Sequence, residues 1–374
     1  MSKPLKIIRF AVGGFVGLLI LVAVALLVFV DINGYKPRLE VAASRALGME
    51  VRVGGRLGIG FFPGLHVTLQ DVHIRNRGTD LASAQQASLG IDLLPLLQKK
   101  VRIGKIALKR PRISIERDSD GKFNFEKPEA ARAGLTALDL AKVSLSDGTL
   151  LYTDKQSGEG FEAVNCNLNA RRLRLAEGKS LDLLKHLSFT AQLACGEIRK
   201  NDFTVSDLKF SADGKNGVFD LKPVTMRVFG AQGSGSVQAD FSGVVPRYHV
   251  RYSLPQFDIE EFFKTLSPQK VAEGSMDFSA NLSMQGTTVN AMRQTVAGQI
   301  SLRGENLTLN GSDLDRGFAR FESSQSFNLV DVGAFFFAGP VGLVVTKGYN
   351  FASIFQGSGG RSEIRTLVSD WKVE

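Results

Sequence analysis

The feature that most constrains this chain is a pattern of apolar residues that changes phase in the middle of each copy. In "KIALKRPRISIER" (Lys105 to Arg117) and "KVSLSDGTLLYTD" (Lys142 to Asp154), Ile106, Leu108, Ile113 and Ile115 become Val143, Leu145, Leu150 and Tyr152, each displaced by 37 positions. Side chains alternate across a strand, so two apolar residues separated by an odd number of positions face opposite sides. Both pairs share one face only if the strand carries a bulge or kink, here expected near Arg110-Pro111 and near Asp147-Gly148. A third copy, Ile300, Leu302, Leu307 and Leu309, keeps the spacing. Looser relatives are Leu168 and Ala170 before Leu173 and Leu175, and Phe203 and Val205 before Leu208 and Phe210.

From Glu50 onward the chain reads as strands punctuated by Asp120-Gly121, Asp147-Gly148, Asp213-Gly214, Asn216-Gly217 and Asn310-Gly311, which are hairpin signals. The expected fold is therefore mainly β with few helices: a long curved antiparallel sheet over 50–310 whose one apolar face forms a groove. A two-layer β-sandwich with tight corners is the alternative, and it would close that face with a second sheet.

Ahead of the sheet, Lys3, Lys6 and Arg9 precede an uncharged run of 21 residues from Phe10 to Val30, enough at 1.5 Å per residue to cross a bilayer core. The basic flank places residues 1–9 in the cytoplasm and everything after Asp31 across the membrane. A cleavable signal peptide ending near Ala23 to Ala25 is the rival, but it would leave Leu26 to Val30 exposed at a mature N-terminus. Residues 31–49 read as a collar helix, with Pro37 in its first turn and Gly48 beyond its end. "FDIEEFFKTL" is a helix with Asp258 as N-cap and Glu261 at the capping-box position. Residues 311–374 hold a helix capped by Ser312, the apolar stretch Val332 to Thr346, which is either a buried helix pair or a membrane-touching insertion, and a final strand.

Little in the sequence points to catalysis. His66 and His73 are seven apart in an expected strand and so cannot share a metal, and His186 and His249 stand alone. "GAQGSGS" and "GSGG" lack the Lys-Ser/Thr of a phosphate-binding loop and read as turns or bulges. No nucleophile elbow or paired carboxylates stand out, so neither an enzyme, a cofactor nor a metal is expected. The net charge of +9, from 46 Lys and Arg against 37 Asp and Glu, suits an anionic partner. In the run "QKKVRIGKIALKRPR" no aromatics interleave with the charges, so the reading is a solvated strand face, with lipid headgroups favoured over nucleic acid.

Cys166 and Cys195 are the only cysteines. A hairpin that set them opposite each other would also set Leu168 against Leu193 and Ala170 against Ala191, a register coherent with a disulfide in an oxidising compartment. Two buried free thiols are the alternative.

The anchor followed by "DINGYKPRLEVAASRALGMEVRVGGRLGIGFFPGLHVTLQDVHIRN", together with "NLVDVGAFFFAGPVGLVVTKGYNFASIFQGSGGRSEIRTLVSDWKVE", resembles the AsmA family of Gram-negative inner-membrane proteins. Such proteins are similar in build to bridge-like lipid-transfer proteins, whose sheets curl into a gutter for phospholipid tails. The resemblance implies a single-pass inner-membrane protein with its bulk in the periplasm. It implies phospholipid and the inner membrane as partners, with outer-membrane or periplasmic proteins as further ones, and the fourteen residues Ile106, Leu108, Ile113, Ile115, Val143, Leu145, Leu150, Tyr152, Leu168, Leu193, Ile300, Leu302, Leu307 and Leu309 as groove lining. A non-catalytic structural factor for outer-membrane protein assembly is the other function class. The resemblance also implies further strands after "SDWKVE", whereas the sequence stops at Glu374, leaving a short variant or an incomplete reading frame open.

Overall fold

The computed structural model describes residues 32–373 except 63, 77, 93–94, 96–97, 99–101, 127–137, 157, 176–183, 201–202, 266–271, 288 and 311–360. The expected membrane span, the helix capped by Ser312 and the apolar stretch Val332 to Thr346 lie outside the described residues. Among the described residues no helix is long and apolar enough to cross a membrane. The chain divides into two compact units, Met1–Lys109 and Arg110–Glu374.

In the first unit a 3-10 turn, Ile32–Tyr35, leads into helix α1, Lys36–Leu47, which has Pro37 in its first turn and ends at Gly48 with φ 69°. That left-handed conformation is open to glycine without a Cβ penalty, and the Gly48 amide returns to the Ser44 carbonyl. Strands β1 (Glu50–Val53) and β2 (Leu57–Gly60) both pair antiparallel with β3 (His66–Asn76), which pairs with β4 (Thr79–Ile91). Val51, Val72 and Ala87 form a small core, joined by Ala43 of α1 and by Leu108. Leu108 lies on β5, Ile103–Arg117, and the division between the units falls inside that strand.

The second unit takes the rest of β5 and then, among the described residues, ten strands: β6 (Leu138–Asp154), β7 (Glu159–Leu175), β8 (Ser188–Lys200), β9 (Phe203–Lys215), β10 (Val218–Val228), β11 (Ala231–Asp240), β12 (Arg247–Asp258), β13 (Ala272–Gln285), β14 (Ala297–Asn310) and β15 (Arg361–Val373). From β6 to β15 each strand pairs with the next, always antiparallel, in a single sheet. Among the described residues no second sheet faces it, which answers against the sandwich.

One pair departs from the antiparallel expectation. The Lys155 amide donates to the Arg117 carbonyl at 2.9 Å, Arg117 reaches Asp154 and Lys155 reaches Glu116, while Gly148 lies against Pro111. Partner numbers rise together along these contacts, so β5 and β6 run parallel, in the register of N–H from one strand to the carbonyl one step behind. Parallel neighbours keep a constant offset, here 37, and the repeated apolar pattern is therefore also a register. Ile113 stands level with Leu150, and Ile115 with Tyr152.

The phase shifts fall on residues in the left-handed region: Arg110 (φ 48°), Asp147 (54°), Arg172 (51°), Asp207 (51°) and Asn306 (53°). Each lies between the two apolar pairs of its own strand. Asp and Asn tolerate this conformation better than other non-glycine residues, and three of the five are Asp or Asn. β12 bends the same way at Gln256 (φ 53°), and there the result is visible in the core. Val250, Tyr252 and Leu254 before Gln256, and Phe257 and Ile259 after it, belong to one buried cluster despite opposite parity.

Two expected turns are instead strand interior. Asp213-Gly214 lies within β9, where a Cβ on Gly214 would come 2.6 Å from the Phe189 ring and 2.7 Å from that of Phe219. The glycine gives room to two stacked aromatics rather than a turn. Asp147-Gly148 lies within β6 as the bulge. Asn216-Gly217 does make the β9–β10 turn, with φ 53° and 80°. "GAQGSGS" is also strand, β11, where Gly233 leaves space for the Tyr252 hydroxyl and Gly235 lets the backbone of β12 approach.

Candidate functional site

Residues directly opposite each other in neighbouring strands project to the same face, about 4.5–5.5 Å apart. Followed across the second unit, this rule gives an unbroken line: Leu145 opposite Leu168, Leu168 opposite Leu193, Leu193 opposite Phe210, Phe210 opposite Val224, then Gly235, Tyr252, Ala280 and Ile300. A second line runs beside it through Val143, Ala170, Ala191, Ala212, Leu221, Val237, Val250, Leu282 and Gly298. At about 4.8 Å between strands, each line extends roughly 40 Å from β6 to β14. The opposite face is polar: Ser144, Asn169, Gln192 and Ser211 stand in one line, and Ser234, Ser253, Ser279, Ser301 and Asp370 in another.

The apolar face is not equally covered along its length. On β6 to β10 Val143, Leu145, Leu168, Leu193, Phe210 and Val224 are half-buried. On β12 to β14 the same lines are closed, with Leu282 at 1% exposure and Ile300 at 3%, and Leu254 and Leu307 on the same strands are at 1%. Helix α2, Ile259–Lys264, capped by the Asp258 carboxylate on the amides of Glu260 and Glu261, packs Ile259 and Phe263 onto that closed part.

Aromatic side chains mark both ends of the central strands. Phe189, Phe219, Phe241 and Tyr248 are linked by ring contacts of 5.4–5.8 Å at one end. Phe203, Phe229, Phe257, Phe262 and Phe263 are linked by contacts of 5.3–6.2 Å at the other. Burial pushes the Tyr248 and Tyr252 phenols up. Tyr152 moves the same way, through burial first and the Asp154 charge second. These hydroxyls stay neutral at physiological pH.

Of the residues singled out from the sequence, Val143, Leu145, Leu168, Leu193 and Ile300 lie on the two lines. Leu150 and Tyr152 continue the same strand beyond its bulge, and Ile113 and Ile115 flank them across the parallel seam. Leu302 is half-buried, Leu307 buried, and Leu309 pairs in register with Ala272 and Ser362. Ile106 is half-buried in the first unit, where Leu108 packs on the small core. Sequence reading missed the lining on β10 to β13, although Tyr252 and Leu254 before Phe257 and Ile259 keep the looser spacing, and Met276, Phe278, Ala280, Leu282 and Met284 alternate along β13, signals that could have found it.

Cys166 and Cys195 are joined by a disulfide, with Leu168 opposite Leu193 and Ala170 opposite Ala191 on the same hairpin. His66 Nδ1 donates to the Gly64 carbonyl and His73 Nε2 to the Asp71 carboxylate, each separately. Lys105, Lys109, Arg110 and Arg112 of the basic run are all exposed.

A family model described as the AsmA family matches residues 1–176. Residues 1–176 are thus similar to the AsmA family. The match takes in the uncharged N-terminal run, the collar helix and β1 to β7, so the disulfide ties matched strand β7 to β8 beyond it. No curated protein and no solved structure matches the chain.

Proposed function

We propose that this chain is an inner-membrane-anchored, periplasmic conduit or carrier for phospholipid between the inner and outer membranes, supporting lipid homeostasis of the envelope. The observation that carries the reading is the half-buried line Leu145–Leu168–Leu193–Phe210–Val224, which holds apolar side chains in register across five strands without a facing sheet among the described residues. Burying such a face against acyl chains gains roughly 25 cal/mol per Å² of apolar surface removed from water. The reading needs no catalytic group and no cofactor. Similarity to the AsmA family is consistent with an envelope role, and the basic flank before Phe10 supports an N-terminus in the cytoplasm.

Photo-crosslinking side chains at Leu145, Leu168 and Leu193 test it, in full-length protein purified gently from membranes. Phospholipid adducts at these positions are the expected result. A second reading, a non-catalytic structural factor for outer-membrane protein assembly, is favoured by the closed packing of Leu282, Ile300 and Leu307. It gives adducts only to protein side chains, and that outcome replaces the conduit with a scaffold.

A further inference from the structure

We propose that the first unit rests on the bilayer surface through an aromatic wedge, Phe61 and Phe62, which dips into the boundary between headgroups and acyl chains. Phe62 is 90% exposed and Phe61 51%, adjacent in the connection between β2 and β3. A lone exposed apolar residue is ordinary, but here two neighbouring phenylalanines share a loop tip, and the described residues of their own unit leave Phe62 almost bare and Phe61 half-exposed. Tyr35 and Leu39, at 52% and 41%, add exposed apolar surface at the start of the collar helix.

The occupant follows from where the uncharged run ends. Phe10 to Val30 stops two positions before Ile32, so the described part of the first unit begins where the chain would leave the bilayer. The loop is also fixed relative to that point. The Leu57 amide donates to Asn33 Oδ1 at 3.0 Å, Lys36 Nζ donates to the Gly54 and Gly55 carbonyls, and the amides of Val53 and Val51 donate to Glu40 and Ser44. The start of β2 is thus stitched to the turn and helix that follow the run. From Leu57, four residues of extended chain carry Phe61 no more than about 13 Å away. The base of the loop is held by His66, whose Nδ1 lies 2.8 Å from the Gly64 carbonyl and whose ring fills the space that a Cβ on Gly60 would need. Lys36, Arg38 and Arg56 in the same unit suit anionic headgroups.

The proposal rests on the reading of Phe10 to Val30 as a membrane span, and one experiment separates the two. Trp371→Phe removes the single tryptophan, and Phe62→Trp then supplies the only reporter. Full-length protein is reconstituted into vesicles of phosphatidylethanolamine and phosphatidylglycerol, floated on a density gradient, and compared with vesicles whose lipids carry bromine near the headgroup end of the chain. The expected result is flotation, blue-shifted emission and at least about twofold quenching by the bromine. Flotation with solvent-like, unquenched emission overturns the wedge and leaves the span intact. Flotation with blue-shifted emission insensitive to bromine means a protein surface covers the loop, and also overturns it. Failure to float removes the span and the wedge together.

Discussion

Arg117 Nη1 donates to Asp154 Oδ2 at 3.2 Å, and the two residues stand 37 positions apart, the interval that also separates Ile113 from Leu150. The ion pair closes one end of the parallel seam between β5 and β6, and Asp154 is 7% exposed while the Arg117 side chain is 37% exposed. Asp154→Ala leaves the guanidinium unmatched at a partly wet site, so a loss of about 1–3 kcal/mol is expected, below the cost at a fully buried pair. A shift of the urea midpoint checks it. No shift would mean that the seam is held by its backbone bonds alone.

The bulges give a second expectation. Arg110 adopts φ 48°, a conformation costing an ordinary side chain roughly 1–2 kcal/mol. Arg110→Gly relieves that cost and is expected to raise the thermal midpoint, offset in part by the freer unfolded chain. Asp147→Val, which puts a β-branched residue at φ 54°, is expected to lower it. Both changes moving the midpoint the same way would contradict the assignment.

A charge on the open face should separate function from folding. Leu193 is half-buried between Leu168 and Phe210, so Leu193→Asp is expected to abolish co-purified phospholipid while the protein remains folded by circular dichroism. Leu282, at 1% exposure, belongs to the closed part, and Leu282→Ala is expected to cost about 2–5 kcal/mol of stability. Loss of lipid only in step with loss of fold, at both sites, would argue for the scaffold.

For the disulfide, thiol labelling of denatured, unreduced protein is expected to modify neither Cys166 nor Cys195. Cys195→Ala with Cys166→Ser opens a loop with a sequence separation of 29, and a loss of about 2–4 kcal/mol is expected. Two labelled cysteines in the native chain would remove the bond.

Asp240 offers a pH test outside the apolar face. The Ser242 hydroxyl, donating at 2.5 Å, holds its carboxyl below the usual range, helped by the Ser242 amide at 2.9 Å and by the Arg247 charge. A depressed folded value contributes stability that is present above the unfolded carboxyl range and lost as pH falls through the folded one. Ser242→Ala is expected to move the Asp240 titration upward, read by carboxyl NMR.

The sequence by itself determined the strand-rich class, the collar helix with Gly48 at its end, and the places where strands must change phase. These depend on local periodicity and on residues such as Asp147 and Asn306 that accept a left-handed backbone, so a short window carries them. The match of Leu168 to Leu193 was equally legible, because a hairpin with two cysteines has little freedom of register. What only the tertiary structure decided was partnership across the sheet. Whether β6 lies parallel or antiparallel to β5 turns on the path of the chain between Arg117 and Leu138, and no periodicity within either strand records it. The closure of β12 to β14 and the openness of β6 to β10 were likewise hidden, since Leu193 and Leu282 carry the same side chain. Their burial depends on what packs above each of them, and that is fixed by residues distant in sequence.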